Sequence, residues 1–394
     1  MIDFSIPPEL ETTRNRVSAF MEEYVYPNES KMIEDEGLPV DLETELQKEV
    51  KARGLWAPNL PREWGGMGVG FIGQALVNEI IGRSNIAPRI FGSAAPDAGN
   101  AELLLIAATT EQQERYLRPL AAGDVRSCFA MTEPEVAGSD PTGLRTTAVR
   151  DGNEWVINGH KWFISGAIGS AFAIVMAVTD TGADAHHRAS MILVPTNTPG
   201  FNIIRAVPVM GSGGVGGHCE IRFENCRVPF SNLLGEVGQG FKLAQARLGP
   251  GRIQHCMRWV GAAQRSLEML CRYALKRQSF GEPLSKKQTV QNWIADSTAE
   301  ISAFRLMTLN AAWKLDRGDD ARIEISLIKF FGARVLHDVI DRAIQVHGAL
   351  GYSKDTPLEM FYRDARAARI YDGPDEVHRQ VVAHRVIQAF KTEA

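Results

Sequence analysis

Along residues 1 to about 124 the apolar positions recur at helical spacing, broken by turns. Pro8-Glu-Leu-Glu-Thr-Thr-Arg opens a helix with proline in its first turn. Residues 42–54 give another, closed by glycine. Pro61-Arg-Glu-Trp-Gly-Gly-Met-Gly68 reads as a turn. Glu111-Gln-Gln-Glu-Arg-Tyr-Leu-Arg-Pro-Leu, preceded by threonines, closes the segment as a helix. From 125 to about 235 the period falls to two. Thr146–Ile157 forms a hairpin pattern with Asp151-Gly152 at the turn, and residues 171–178, 190–195 and 218–229 read as strands. From about 236 the helical period returns over 252–277 and 289–317. Ile328, Phe331, Val335, Val339, Ala343 and Val346 form one apolar stripe. The pattern predicts an α+β multidomain protein: an N-terminal helical domain (1–124), a middle β-barrel-like domain (125–235) and a C-terminal four-helix bundle (236–394).

Bulk properties narrow the function classes. A chain of 394 residues holds two or three domains with sizeable cores. The 43 basic residues against 47 acidic ones argue against a nucleic-acid surface. No apolar run approaches a membrane span, and neither Met1-Ile-Asp-Phe nor Lys391-Thr-Glu-Ala resembles a targeting signal. The expected location is therefore cytoplasmic. Five cysteines without a C-x-x-C pattern read as reduced, mostly buried thiols, and no metal site is expected. Gly211-Ser-Gly-Gly-Val-Gly216 matches G-x-G-x-x-G, but a strand pattern follows it where a dinucleotide fingerprint requires a helix.

Two segments carry the chemistry: Phe129-Ala-Met-Thr-Glu-Pro-Glu-Val-Ala-Gly-Ser-Asp140 and Ile157-Asn-Gly-His-Lys-Trp-Phe-Ile-Ser-Gly-Ala167. A flavin ring needs an apolar wall and polar donors at its edge. Phe129, Met131 and Phe163 can form the wall, and Thr132 and Ser165 can supply hydroxyls. Ala137, Gly138 and Ser139 are small enough for close backbone approach. The paired segments resemble the flavin-binding middle domain of the acyl-CoA dehydrogenase family. Glu135-Val136 adds one residue to the family's usual loop and is expected to bulge it without moving its anchors.

The resemblance covers nearly the whole chain and implies a set of site residues. Arg277-Gln-Ser-Phe-Gly-Glu-Pro-Leu matches the family's Arg-x-x-Phe-Gly segment. It implies that Arg277 pairs with the pyrophosphate of FAD and that Phe280 and Gln288 flank the same dinucleotide. Gln345-Val-His-Gly-Ala-Leu-Gly-Tyr352 matches a second phosphate-approaching segment and brings in Gln345 and Gly348. In the family both segments reach a neighbouring subunit's flavin, so a homo-oligomer is implied, most naturally a tetramer. Arg252, in Leu248-Gly-Pro-Gly-Arg-Ile, matches the arginine of the acyl-CoA site, while Gly249 stands where the family has an adenine-contacting aspartate. Ser139 is likewise implied at the substrate. Ser93–Asn100 matches the stretch that closes the acyl cavity, where Asp97 either meets a polar group of the chain or caps a helix.

The family's base follows a tyrosine in Tyr-Glu-Gly-Thr. This chain has Tyr371-Asp372-Gly373-Pro374-Asp375-Glu376-Val-His378. The resemblance makes Asp372 the base, places Tyr371 and Gly373 at the substrate and turns Pro374 and Glu376 toward the flavin. The alternative base position of some members is Gly251, which cannot ionise. This variant, with Gly-Pro-Gly-Arg-Ile and Ala95-Pro-Asp-Ala-Gly-Asn100, is similar to the branch of family members 10 and 11. That branch often carries an upstream kinase-like domain, of which none is expected here. The implied reaction is α,β-dehydrogenation of an acyl-CoA thioester. The backbone N–H of Asp372 and a flavin ribityl hydroxyl would hold the enolate oxygen, flavin N5 would accept the hydride, and an electron-transferring flavoprotein would accept the electrons. Three rivals stand beside it. A nitroalkane-oxidase-like flavin oxidase uses an aspartate at this position; the others are a flavin monooxygenase on the same fold and a non-enzymatic helical binding protein.

Overall fold

The computed structural model describes residues 5–33, 37–211 and 217–391, so the Gly211–Gly216 motif lies outside the described residues beyond Gly211. The chain packs as two units. One comprises Met1–Ser30, Val69–Pro88 and Arg252–Ala394, the other Lys31–Gly68 and Arg89–Gly251.

The second unit is built on one eight-stranded sheet. Its strands are β1 (Ser127–Ala130), β2 (Thr147–Asp151), β3 (Glu154–Ser165), β4 (Phe172–Val178), β5 (Ala189–Pro195), β6 (Phe201–Val207), β7 (His218–Pro229) and β8 (Leu233–Leu234). They run in the order β6-β7-β3-β2-β4-β5-β8, and β1 lies parallel to β4. Every residue of β4 is buried, which explains its unbroken apolar sequence. β3 and β7 are the long pair, and the slips in their register mark bulges near the segment that carries Phe163 and Ser165. The hairpin turn sits one residue later than the sequence pattern predicts. Asp151 pairs with Glu154, and Gly152, at φ 61, opens the two-residue loop. Glycine takes that left-handed position without a Cβ clash, which fixes the register. Helices Val40–Ala52 and Asp97–Ala107 belong to the same unit.

The first unit is helical. Its main helices are Gln288–Asp316, Arg322–His347, Leu358–Ala368, Asp375–Lys391 and residues 252–276 of the 37-residue helix Gly240–Lys276. The predicted stripe points inward: Ile328, Val335, Val339, Ala343 and Val346 are buried, and Phe331 packs partly buried against the same core. The sequence pattern opens the long helix at 252, whereas it starts at Gly240 and passes through Gly249-Pro250-Gly251. Proline and glycine lower helix propensity, but burial of the flanking apolar face outweighs it. Arg252 is consequently a mid-helix residue and not a charge at a helix N-terminus. Helix Gly70–Ile81, with nine buried residues, crosses the long helix at very short range. A Cβ on Gly261 would stand 2.0 Å from the Glu79 carbonyl oxygen, and one on Gly82 2.2 Å from the Arg258 Cα.

Candidate active site

A buried polar cluster of the helical unit surrounds the loop between helices Leu358–Ala368 and Asp375–Lys391. Asp372 has φ 54 and Gly373 φ 97. A non-glycine residue in the left-handed region is uncommon and persists where neighbouring contacts hold it. Here those contacts converge on main-chain carbonyls. Arg252 Nε donates to the Asp372 carbonyl at 2.9 Å, and His378 Nε2 donates to the same oxygen at 3.1 Å. Lys329, fully buried, donates to the carbonyls of Ala368 at 2.7 Å and Gly373 at 3.3 Å. A Cβ at Gly373 would stand 2.8 Å from His378 Nε2, so this packing excludes a larger residue. Asp375, 1 % exposed, pairs with Arg369 at 2.9 Å and anchors the start of the last helix.

Arg252, His255 and Trp259 follow helical spacing and share one face of the long helix. Trp259 Nε1 donates to the Tyr371 hydroxyl at 3.0 Å, and the His255 ring lies 5.2 Å from the Tyr371 ring. His255 Nε2 lies 3.3 Å from Asp372 Oδ2. Burial pushes the Tyr371 hydroxyl well above its usual range, with the Asp372 charge adding to it, so the phenol stays protonated. Burial, then the Arg252 charge, lowers His378 to about 4, so its imidazole is neutral near pH 7. Burial also lowers Lys329, with Cys256 and Asp372 acting in the opposite direction. The carboxylate of Asp372 thus stands on a loop fixed by cations and a neutral imidazole bound to its backbone.

The β unit carries the other predicted cluster. Lys161 and Glu133 form a fully buried ion pair at 2.8 Å. Burial lowers Lys161 to about 8 against the pull of Glu133. Glu133 also accepts from the N–H groups of Arg145 and Thr146, and Lys161 donates to the Met131 carbonyl. Thr132 is pinned by its hydroxyl, which donates to the Trp162 carbonyl at 2.7 Å, and by the return bond from the Trp162 N–H. The lengthened loop at Glu135-Val136 makes a turn at the surface, where Glu135 meets His160 at 3.1 Å. Met131, Thr132 and Gly138 line one concavity, and a Cβ at Gly138 would meet the Thr132 methyl at 3.0 Å. Ser139 lies exposed on the same loop. Ser165 Oγ bonds to His218 Nδ1 at 2.8 Å. Phe163 sits at φ 52 with its ring 43 % exposed. The Phe129 ring lies under the Arg247 guanidinium at 4.3 Å. Met131, Thr132 and Gly138 thus bring an apolar side chain, a hydroxyl and close backbone to one concavity, groups of the kind a flavin ring uses.

Asp97 is the first residue of its helix and not the cap, which is Pro96. Its carboxylate accepts from the Ser127 N–H (2.7 Å) and hydroxyl (2.8 Å) and pairs with Arg126 at 3.3 Å. Asn100 is fully buried between Ser127 and Arg247. Asp97 and Asn100 therefore tie this segment to the start of β1.

The remaining predicted residues lie on the surface of the helical unit. Arg277, Gln288, Gln345 and Gly348 are exposed. Phe280, 99 % exposed, occupies a hairpin turn with Gly281 at φ 50 and 79. Gly348 ends helix Arg322–His347 at φ 61 with no atom within 4 Å of a built Cβ. Glu376 is exposed and Pro374 half-buried at the start of the last helix. Sequence reasoning missed His255, Trp259, Lys329 and His378 around Asp372, and the buried pair Glu133–Lys161. His255 and Trp259 left a signal as polar or aromatic residues one and two turns after Arg252, and Glu133, Lys161 and His378 lie inside the segments that carry the resemblance, whereas Lys329 left none.

Residues 7–124, 128–226 and 238–387 match the N-terminal, middle and C-terminal domain models of acyl-CoA dehydrogenase, in that order. The chain belongs to the acyl-CoA dehydrogenase family. It is 45 % identical over 99 % of its length to FadE2 of Mycobacterium tuberculosis, a probable acyl-CoA dehydrogenase of which it covers 98 %. It is 41 % identical to acyl-CoA dehydrogenase family member 11 of Mus musculus over 95 % of its length, and it spans about half (50 %) of that protein. A solved structure assigned to the acyl-CoA dehydrogenases of Mycobacterium abscessus shares 40 % identity at a TM-score of 0.93, covering 98 % of this chain and all (100 %) of the other. The protein is accordingly an oxidoreductase of a family that uses FAD. Among the described residues no helix is long and apolar enough to cross a membrane.

Proposed function

We propose that this acyl-CoA dehydrogenase family member oxidises an acyl-CoA thioester to the trans-2-enoyl-CoA with Asp372 as the base. The observation that carries the reading is the left-handed Asp372, whose carbonyl is clamped by Arg252 and His378. A base must hold its carboxylate at one place relative to the α-carbon, and a clamped main chain does this without engaging the carboxylate in the clamp. The Cα–H bond breaks with its proton passing to Asp372, the Cβ–H pair leaves as hydride, and the C=C bond forms. FAD, when bound, supplies the hydride acceptor. We assign its ring to Phe129, Met131, Thr132, Gly138, Ser139, Phe163 and Ser165, with Pro374 and Glu376 also facing it. We assign the dinucleotide of a neighbouring subunit's FAD to Arg277, Phe280, Gln288, Gln345 and Gly348. Their exposure supports that reading, since an apolar ring as exposed as Phe280 gains stability when another chain covers it. Ser139, Arg252, Tyr371, Gly373 and Asp97 border the acyl-CoA in this reading, and an electron-transferring flavoprotein is the electron acceptor.

The test is anaerobic mixing of FAD-loaded protein with a panel of acyl-CoA esters while following loss of flavin absorbance. Bleaching by at least one ester, with the enoyl-CoA recovered, is expected. Peroxide formation with nitroalkanes and no bleaching by any ester would instead establish the oxidase reading.

A further inference from the structure

We infer that His255 is a positioning residue for the base: its Nε2–H donates to Asp372 Oδ2 and turns the other carboxylate oxygen toward the substrate. The inference rests on the assignment of Asp372 as base and adds a residue to it. Nε2 lies 3.3 Å from Oδ2, with both side chains largely out of solvent, 19 % and 24 % exposed. A histidine beside a carboxylate could be neutral or charged, and Nδ1 decides which. Arg258 Nη2 lies 3.1 Å from Nδ1. A guanidinium has donors only, so Nδ1 must accept and carries no proton. The single ring proton therefore sits on Nε2, the nitrogen that faces Asp372. Arg258 is itself oriented by Asn78 Oδ1 at 3.1 Å. The relay thus runs from Asn78 through Arg258 and His255 to Asp372, on residues that the main-chain clamp does not use.

The consequence is a division of labour on one residue. Arg252, His378 and Lys329 hold the backbone of the Asp372 loop, whereas His255 holds the carboxylate. Without that donor the carboxylate can rotate about its own bond, and its ionised form loses a hydrogen bond. Charged and titratable groups from every packed element face the cluster around Asp372 as well. Arg252, Cys256 and Arg258 come from the long helix, Lys329 from the Arg322–His347 helix, and Asp364 from the Leu358–Ala368 helix. Tyr371 lies on the loop itself, and Asp375 and His378 open the last helix.

The experiment compares the FAD-loaded parent with His255→Leu and His255→Gln, with flavin content and thermal unfolding recorded for each. A donor lost from an ionised carboxylate makes it harder to ionise, so the acid limb of the flavin-bleaching rate should move to higher pH in His255→Leu. The expected shift is about one to two pH units, with the high-pH plateau within a few-fold of the parent. His255→Gln places an amide N–H at a similar reach and should return the limb toward the parental position. A limb that stays put in His255→Leu, or that moves equally in both variants, overturns the inference. A second reading is independent of turnover. Nitrogen-15 NMR of the histidine rings should find His255 as the Nε2–H tautomer in the parent, with that proton's shift moving in Asp372→Asn. A protonated Nδ1 overturns the inference. If no acyl-CoA ester bleaches the parent, the dehydrogenation reading fails, and the tautomer alone decides whether His255 donates to Asp372.

Discussion

In the proposed reading a single side chain, Asp372, carries the proton transfer, and its variants separate the base from the loop that holds it. Asp372→Asn keeps shape and main chain but cannot take a proton. Bleaching by a confirmed substrate should slow by on the order of 10²–10⁴, while acyl-CoA still perturbs the flavin spectrum. Parental bleaching in that variant would place the base elsewhere. His378 tests the clamp through pH. Its folded value, about 4, lies below the ordinary 6.5, so the unfolded chain binds the proton more readily. The stabilisation is fully present above about 6.5 and is lost as pH falls toward 4. Calorimetry between those values should show a fall in the unfolding temperature of the parent, and a shallower fall in His378→Gln. Equal slopes would show that His378 does not titrate as described. Arg277→Ala removes one charge-assisted contact, worth roughly 1.5–3 kcal/mol. FAD retention in dilution assays should weaken by about tenfold to a hundredfold, and unchanged retention would refute the role given to Arg277.

At the scale of elements, the long helix contains glycines with opposite roles. Gly251 has helical backbone and nothing within 4 Å of a built Cβ. Gly251→Ala should raise stability by roughly 0.5–1 kcal/mol through helix propensity alone, read as a higher denaturant midpoint. Gly261, ten residues on, faces main chain at 2.0 Å. Gly261→Ala must push two helices apart and should lower stability by about 1–3 kcal/mol. Equal effects at the two sites would contradict the packing described here. The turn at Phe280-Gly281 makes the same point for a short element. Two successive positive φ values make a tight hairpin, and they present the phenylalanine ring to solvent.

For the whole molecule the expectation is a homo-oligomer, most naturally a tetramer, because the surface residues Arg277, Phe280, Gln288, Gln345 and Gly348 are assigned to another subunit's cofactor. Light scattering of the yellow protein should give a multiple of the 43.4 kDa chain mass. A flavin-loaded monomer would refute the assignment. The packing also divides the chain in a way that its linear order does not suggest. Residues 69–88 lie between two segments of the β-containing unit in sequence, yet pack in the helical unit. Helix Gly70–Ile81 is buried nearly all round, and its seat requires Gly82 and Gly261.

The sequence by itself determined the helical or extended character of its most regular stretches, because periodicity and turn chemistry act over a few residues. The stripe from Ile328 to Val346, the all-apolar β4 and the glycine of the β2–β3 turn were readable for that reason. It also determined the family, which resides in short contiguous motifs, and those motifs offer Asp372 as the candidate base. Its local signals failed at Pro250, where helix-breaking chemistry yields to burial of the helix on both sides. Only the tertiary structure decided what surrounds Asp372. Arg252 reaches the Asp372 carbonyl across 120 positions of sequence, and Lys329 reaches Gly373 across 44. The tautomer of His255 depends on Arg258 on one side and Asp372 on the other. Such contacts have no spacing of their own, because the helices that bring them together are fixed by the core and not by the residues that meet.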